Sequence, residues 1–441
     1  MKKATLITLY IMLCRVVTAQ TEMGVTDCMR YALEHNHDVR IGQLTQDSRL
    51  ADRTEAIGAF LPSVNGQIGV QYNFGRAIDP ETNTYTNINT FYNGYSVSAS
   101  LPVFDGFQRL NQLRAAKAAI QMGRSQMQAQ QDELALQVFE AYCNVLYYKG
   151  TCTMSEEKRQ ADSLTLRQTQ VMCEVGQKSE ADVAQMEAQL AADEYEISRQ
   201  ESALSTAWLT LKQLMNWPEN EDLALAELSN HSEYSDNSDY SDNLPQIVEA
   251  MQNVEVSRHK LNASRGALLP SLSFGAGINT TYNKMLHTPA TAFHEQMKNN
   301  RGEYIYATLS IPLFNRLHTI TDIRRQRNNL RIAEEQLAQK RDELTKLQLQ
   351  ASNDCEGYRK QSQQMQHKVT ADSLAYQLTL RKYEEGLSSS IDVQTTSATL
   401  LQSKAQLLQC RLMWALKQLS HLGLVASVLE IKDGLSVEYA I

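Results

Sequence analysis

Metal ligation, thiol chemistry and proton transfer each need particular side chains at particular spacings, and these 441 residues offer few of them. His35 and His37 flank Asn36; two positions apart on a helix they point in different directions and cannot share a metal. The seven cysteines (Cys14, Cys28, Cys143, Cys152, Cys173, Cys355 and Cys410) are scattered, with no metal-ligand or redox spacing. Six lie beyond residue 19, an even number that permits disulfides in an exported protein. Most sit at Ala-like positions of helical pattern, so small buried residues are expected instead. Gly-x-Ser-x-Gly, glycine-rich phosphate loops and Cys-x-x-Cys are absent. Two carboxylates stand out by position. Asp182 and Asp392 each follow a serine (Ser179, Ser389) by three residues, just after Gly176 or Gly386. A glycine stop followed by a Ser-x-x-Asp start is a helix cap, and capping is the first role to weigh for both. No catalytic constellation, cofactor or metal site is expected.

The elements that position these residues come in two copies about 210 positions apart. Leu61-Pro62-Ser63 returns as Leu269-Pro270-Ser271, Leu101-Pro102-Val103-Phe104 as Ile311-Pro312-Leu313-Phe314, and Asp162-Ser163-Leu164 as Asp372-Ser373-Leu374. One structural unit is duplicated. The expected division is a signal peptide at 1–19 and a first repeat over 20–217, with a hairpin at about 61–104 and a tip at about 175–182. A polar linker over 218–243 follows, then a second repeat over 244–421 with a hairpin at about 269–314 and a tip at about 385–392, and a tail over 422–441.

Each hairpin alternates. Val64, Ile68, Val70 and Tyr72 share one parity and Asn65, Gln67 and Gln71 the other; the returning strand sets Tyr95, Val97, Ala99 and Leu101 against Ser96, Ser98 and Ser100. The second copy repeats this with Leu272, Phe274, Ala276 and Ile278, then Ile305, Ala307, Leu309, Ile311 and Leu313. Apolar faces of about ten residues match the span of a tilted transmembrane strand. The opposite faces are small and polar, and aromatics including Tyr304 and Tyr306 gather near the strand ends. Four strands alone would leave bare edges in lipid, so the barrel must be shared between subunits. The connecting loops at 75–90 and 283–302 read as long and polar.

Ile120, Met127, Leu134, Ala141 and Tyr148 recur every seven residues, as do Leu330, Leu337, Leu344, Ala351, Tyr358 and Met365. A sustained heptad imposes left-handed supercoiling. The proline-free runs at 105–174 and 315–384 could each extend about 100 Å as helix. Together these predict an α+β membrane protein in which a long α-helical barrel continues a β-barrel shared between subunits, four strands from each. Lys2, Lys3, the apolar run from Ala4 to Leu13 and Val17-Thr18-Ala19 read as a secretory signal. Net charge −8 and pI near 5.7 argue against nucleic acid as a partner.

With the duplicated Leu-Pro-Ser strands, the Leu-Pro-Val-Phe and Ile-Pro-Leu-Phe turns and the paired glycine-to-aspartate tips in view, the chain resembles the TolC-like outer-membrane efflux proteins over about residues 23 to 421. Ala32-Leu33-Glu34-His35-Asn36 looks like that family's opening helix. The resemblance implies that the barrel is trimeric and twelve-stranded, in a homotrimer in the outer membrane of a Gram-negative bacterium, with a large periplasmic portion docking on an adaptor joined to an inner-membrane pump. The channel would serve efflux or type I secretion and carry no enzyme activity. It further implies a periplasmic gate of Asp392, Asp182 and Tyr383, and an adaptor-docking tip of Val175, Gly176, Gln177, Gly386 and Leu387. A threefold ring of Asp392 would raise the carboxyl pKa by mutual repulsion. Two departures from the family pattern stand at Thr395, where a second acid would follow, and at Ser388, where a basic latch would sit. The competing readings are a periplasmic coiled-coil adaptor or scaffold without a pore, and an enzyme with its site hidden in a loop.

Overall fold

The computed structural model describes residues 22–78, 83–87, 89–227, 244–285 and 290–423. The expected signal peptide at 1–19, residues 228–243 of the polar linker and all but the start of the tail lie outside the described residues. The chain divides into two compact units: Met1–Gln43, Ser125–Ile247 and Lys340–Ile441 form the first, and Leu44–Arg124 with Val248–Gln339 the second.

The second unit holds a four-stranded antiparallel sheet. β1 (Ser63–Asn73), two short strands β2 (Arg76–Ile78) and β3 (Tyr85–Asn87), and β4 (Thr90–Phe104) come from the first repeat; β5 (Ser271–Met285) and β6 (Gly302–Ser310) come from the second. The order is β1-β4-β5-β6, and β2 pairs only with β3 within the first loop. Register places Val64 opposite Ala99, Ile68 opposite Tyr95, Val97 opposite Ile278 and Ala276 opposite Ile305. Directly opposed residues share a face, so the apolar parity of all four strands lines up on one side. That side is open in the single chain, with Val64 66 %, Ile68 72 % and Ile305 86 % exposed. Ser63, Ser96, Ser98 and Ser100 share the other.

One expectation about the hairpins, the strand assignment of Ile311 and Leu313, needs correction, and two further features were not read from the pattern. Tyr304 and Tyr306 belong to the polar side: they stand opposite Gly277 and Gly275, and their rings cover these glycines so closely that no Cβ would fit there. An aromatic laid over a strand glycine fills the packing that the glycine lacks. Ile311 and Leu313 are not in β6, because β5 begins at Ser271 opposite Ser310 and offers nothing to pair beyond it. In the first repeat β4 continues through Pro102 to Phe104, paired with Leu272 across a bulge. The second loop joins β5 to β6. It carries a short helix, Phe293–Asn299, tied to β5 by Gln296, whose side chain accepts from Asn283 N at 2.9 Å and donates to Asn283 O at 3.0 Å.

Among the described residues eight helices account for nearly all the rest. α1 (Val25–His35) and α2 (His37–Gly58) break at Asn36, whose backbone is extended. The Asn36 side chain accepts from Asp38 N at 2.7 Å and donates to Leu214 O at 2.8 Å. α3 (Gln108–Glu174) is followed by α4 (Glu180–Met215) and α5 (Pro245–Gly266); the short loop helix is α6; α7 (His318–Glu384) is followed by α8 (Ser390–Gly423). α3 and α7 are each 67 residues long and start and stop 210 positions apart. Of the heptad residues, Ile120, Leu134, Ala141, Leu344 and Ala351 are buried; the rest are half-buried.

The first unit's core gathers where α1, α3 and α4 meet, around Cys28, Ala32, Val138, Phe139, Tyr142, Val145, Leu211 and Met215. The buried Tyr142 hydroxyl donates to Ala226 O and lies 3.3 Å from Met23 O, next to the parallel bridge between Met23 and Leu225. Six cysteines are described and all are free thiols. Burial pushes Cys28 and Cys143 up to about 12, which suits inert apolar packing. His35 stacks on Tyr31 with ring centroids 4.0 Å apart, and its Nδ1 lies 2.9 Å from Tyr31 O.

Candidate functional site: the paired helix tips

α3 and α7 end the same way. Gly176 (φ +78°) and Gly386 (φ +76°) adopt the left-handed conformation that glycine reaches without a Cβ penalty. Gly176 N donates to Cys173 O at 2.9 Å and Gln177 N to Met172 O at 2.8 Å; Gly386 N donates to Tyr383 O at 3.0 Å and Leu387 N to Lys382 O at 2.7 Å. These are Schellman closures. α4 and α8 then start on capping boxes. Asp182 Oδ2 accepts from Ser179 N (3.1 Å) and Ser179 Oγ (2.7 Å), while Ser179 Oγ accepts from Asp182 N. Asp392 Oδ2 accepts from Ser389 N (3.0 Å), Ser389 Oγ (2.8 Å) and Ser388 Oγ (3.0 Å).

Hydrogen bonds to the ionised form hold both carboxyls below the usual aspartate value. For Asp182 the Ser179 side chain leads, and for Asp392 the Ser389 backbone N–H does. Within one chain the pull on Asp392 is therefore opposite to the rise expected from a threefold ring, because capping has already committed one carboxylate oxygen to three donors.

The two tips are also fastened to each other. Tyr383, fully buried near the end of α7, sets its hydroxyl 2.6 Å from Thr169 Oγ1 of α3; Thr169 also donates to Thr165 O at 2.7 Å. Burial, opposed by this bond, raises the Tyr383 pKa. Lys178 Nζ stands 4.2 Å from the centre of the Tyr383 ring and donates to Ser388 O at 3.2 Å. Ser390, almost fully buried, donates to Asp182 Oδ1 at 3.1 Å. Gln394 Nε2 reaches Gln185 O at 3.4 Å and Met186 Sδ at 3.5 Å. Met186 and Val393 are fully buried between the helices.

Sequence reasoning marked Ser388 as lacking a basic latch. The cation comes instead from the matching position of the other repeat, Lys178, 210 residues earlier; that shared offset was the signal available. Thr169, Ser390 and Gln394 carried no signal of their own. Val175 and Leu387 project from the tips 65 % and 74 % exposed, and Gln177 is exposed beside Gly176. Asp392 is exposed, whereas Tyr383 is enclosed.

These contacts fasten the two helix pairs to each other at their tips. Among the described residues no group of three or more His, Cys, Asp or Glu could hold a metal ion, and no helix is long and apolar enough to cross a membrane.

Comparison with known proteins agrees with this geometry. The family model described as "outer membrane efflux protein" matches residues 29–216 and 238–420, one segment for each repeat. The outer membrane efflux protein BepC of Brucella suis is 22 % identical over 399 residues, covering 89 % of this chain and 84 % of BepC. The fold superposes on the CmeC outer membrane channel of Campylobacter jejuni with a TM-score of 0.80 at 16 % identity, over 93 % of this chain and 88 % of CmeC. It superposes on VceC of Vibrio cholerae with a TM-score of 0.78 at 13 % identity, over 90 % and 96 %.

Proposed function

Because the chain belongs to the outer membrane efflux protein family and is an outer-membrane efflux channel of the TolC type, we propose that three copies close one continuous conduit. It is a transport protein of the Gram-negative outer membrane with a periplasmic helical portion, so the readings as a poreless scaffold or a hidden enzyme are set aside. TolC-family channels form trimers.

The observation that carries the proposal is the sheet. β1 and β6 each have one unpaired side among the described residues, and the aligned apolar face is solvent-open in the single chain. Neither is tolerable in lipid unless each β6 pairs with the next copy's β1, which gives a twelve-stranded barrel. α3, α4, α7 and α8 of three copies then form the α-barrel. The Tyr383–Thr169, Lys178–Ser388 and Ser390–Asp182 contacts hold each pair of tips in one closed arrangement. Asp392, exposed at the start of α8, is the charged group offered to the opening, and Asp182 is mainly a cap and an anchor for Ser390. Val175, Gly176, Gln177, Gly386 and Leu387 form the docking end for a periplasmic adaptor, itself joined to an inner-membrane pump.

The test is the mass of the detergent-extracted protein by light scattering, with cysteines introduced at Gln67 in β1 and Thr308 in β6. The expected results are a three-chain mass and intermolecular disulfides that trap a covalent trimer. A stable monomer, or a trimer in which no β1–β6 cysteine pair crosslinks, would remove the shared barrel.

A further inference from the structure

The first repeat buries an ion cluster that the second does not. Lys158 Nζ of α3 lies 2.6 Å from Asp162 Oδ2 on the same helix and 2.5 Å from Asp193 Oδ1 on α4. The three side chains are only 8 %, 1 % and 7 % exposed. Gln189 Nε2 adds one donor to Asp193 Oδ1 at 2.8 Å. The second oxygens, Asp162 Oδ1 and Asp193 Oδ2, are buried without a hydrogen-bond partner, and the two carboxylates share the single Lys158 ammonium.

The charges do not balance, since one ammonium faces two carboxylates. Other elements near the cluster do not supply the missing cation. α7 presents Tyr376, whose pKa is raised by burial and by the Asp162 charge. On α8, Lys404 is turned to Glu157 at 3.8 Å. At the equivalent positions of the second repeat, Lys368 and Asp372 pair at 2.7 Å and Ser403 takes the place of Asp193, donating to Asp372 Oδ2 at 2.6 Å. That site has one charge of each sign, a hydroxyl donor, and far more solvent on Lys368 (47 % exposed).

We propose that Asp162 and Asp193 form a proton-binding site in which a single proton shared by the two carboxyls joins α3 to α4 and makes this helix pair tighter in acid than at neutral pH. With the proton present, one carboxyl becomes an O–H donor to the other and the cluster is neutral. Without it, two buried carboxylates face one ammonium, and the excess charge is relieved only by hydration or separation of the helices. Burial first, and Asp193 next, lift Asp162 from 3.8 to about 6. A raised carboxyl means that the folded chain keeps a proton the unfolded chain has already released. Its contribution is complete below about pH 4 and is lost as pH climbs through about 6.

The experiment uses the full-length trimer in detergent. Infrared difference spectra between pH 5 and pH 7.5 should show a protonated carboxylic band at pH 5 that vanishes on deprotonation, is missing in Asp162→Asn, and is missing in Asp193→Ser. Amide exchange in α3 and α4 around the cluster, corrected for intrinsic pH dependence, should speed up by as much as tenfold per pH unit between about pH 4 and 6. In Asp193→Ser, which copies the residue the second repeat already tolerates, the profile should be flat. A wild-type spectrum with no titrating carboxylic band overturns the site without recourse to any variant. So does an Asp193→Ser trimer that keeps the band or the wild-type exchange slope.

Discussion

Replacing Tyr383 with Phe removes one oxygen from the tip and leaves the ring, its burial and the Lys178 cation–π contact in place. What is lost is the 2.6 Å bond to Thr169. Thr169 Oγ1 keeps Thr165 O as acceptor, so no buried group is orphaned and the loss is that of one ordinary buried hydrogen bond, about 1 kcal/mol. If this bond exists only in the closed arrangement, each protomer shifts toward open by a factor of about 5. If the three tips open together, the factors multiply to the order of 10², or about 3 kcal/mol per trimer. Single-channel recording in planar bilayers reads this directly as open probability. Tyr383→Phe should lie between these two bounds, with unchanged trimer yield. A Tyr383→Phe trimer whose open probability equals that of wild type would refute the assignment of this contact to the closed state.

The lipid-facing assignment predicts that Val97→Arg and Ile305→Arg, near the middle of β4 and β6 on the apolar side, each cost about 2–4 kcal/mol and abolish trimer in outer-membrane fractions. Ser98→Arg, one residue from Val97 but on the polar side, should leave trimer assembly intact; equal tolerance of all three would place the membrane elsewhere. Asp392→Asn should weaken cation preference and tip-side block by multivalent cations in planar bilayers, with Asp182→Asn doing less. Because capping holds the Asp392 carboxyl below its ordinary value, its contribution to stability is present above about pH 4 and fades as pH falls through the lowered folded value. The Asn variant should therefore show a shallower acid-side loss of α8 amide protection, and an unchanged profile would mean the cap is energetically silent.

Much of this molecule is legible along the chain because its periodicities are local. The limits of α3 and α7 follow from proline-free heptads and from Gly176 and Gly386, where only backbone conformation matters. The capping boxes at Ser179–Asp182 and Ser389–Asp392 span four residues each. The two sheet faces follow from alternation, which the pleat converts directly into sides. Helix α6 escaped because the polar composition of its loop does not distinguish a short helix tied down by Gln296 from irregular chain.

The contacts that fasten the tips join residues that are distant in sequence. Tyr383 finds Thr169 across 214 positions, Ser390 finds Asp182 across 208, and Lys178 reaches Ser388 across 210. The duplication says which residues are equivalent, but equivalent residues need not touch. Which side of α3 meets α7, and so whether Tyr383 opposes a threonine, and which side meets α4, and so whether Lys158 reaches Asp193, depend on the rotation of packed helices about their axes. A heptad constrains that rotation only to the width of its apolar stripe. Composition and local pattern thus determined a duplicated strand-and-helix chain with capped tips. Only tertiary packing decided which polar groups were buried together, at the tips and around Lys158.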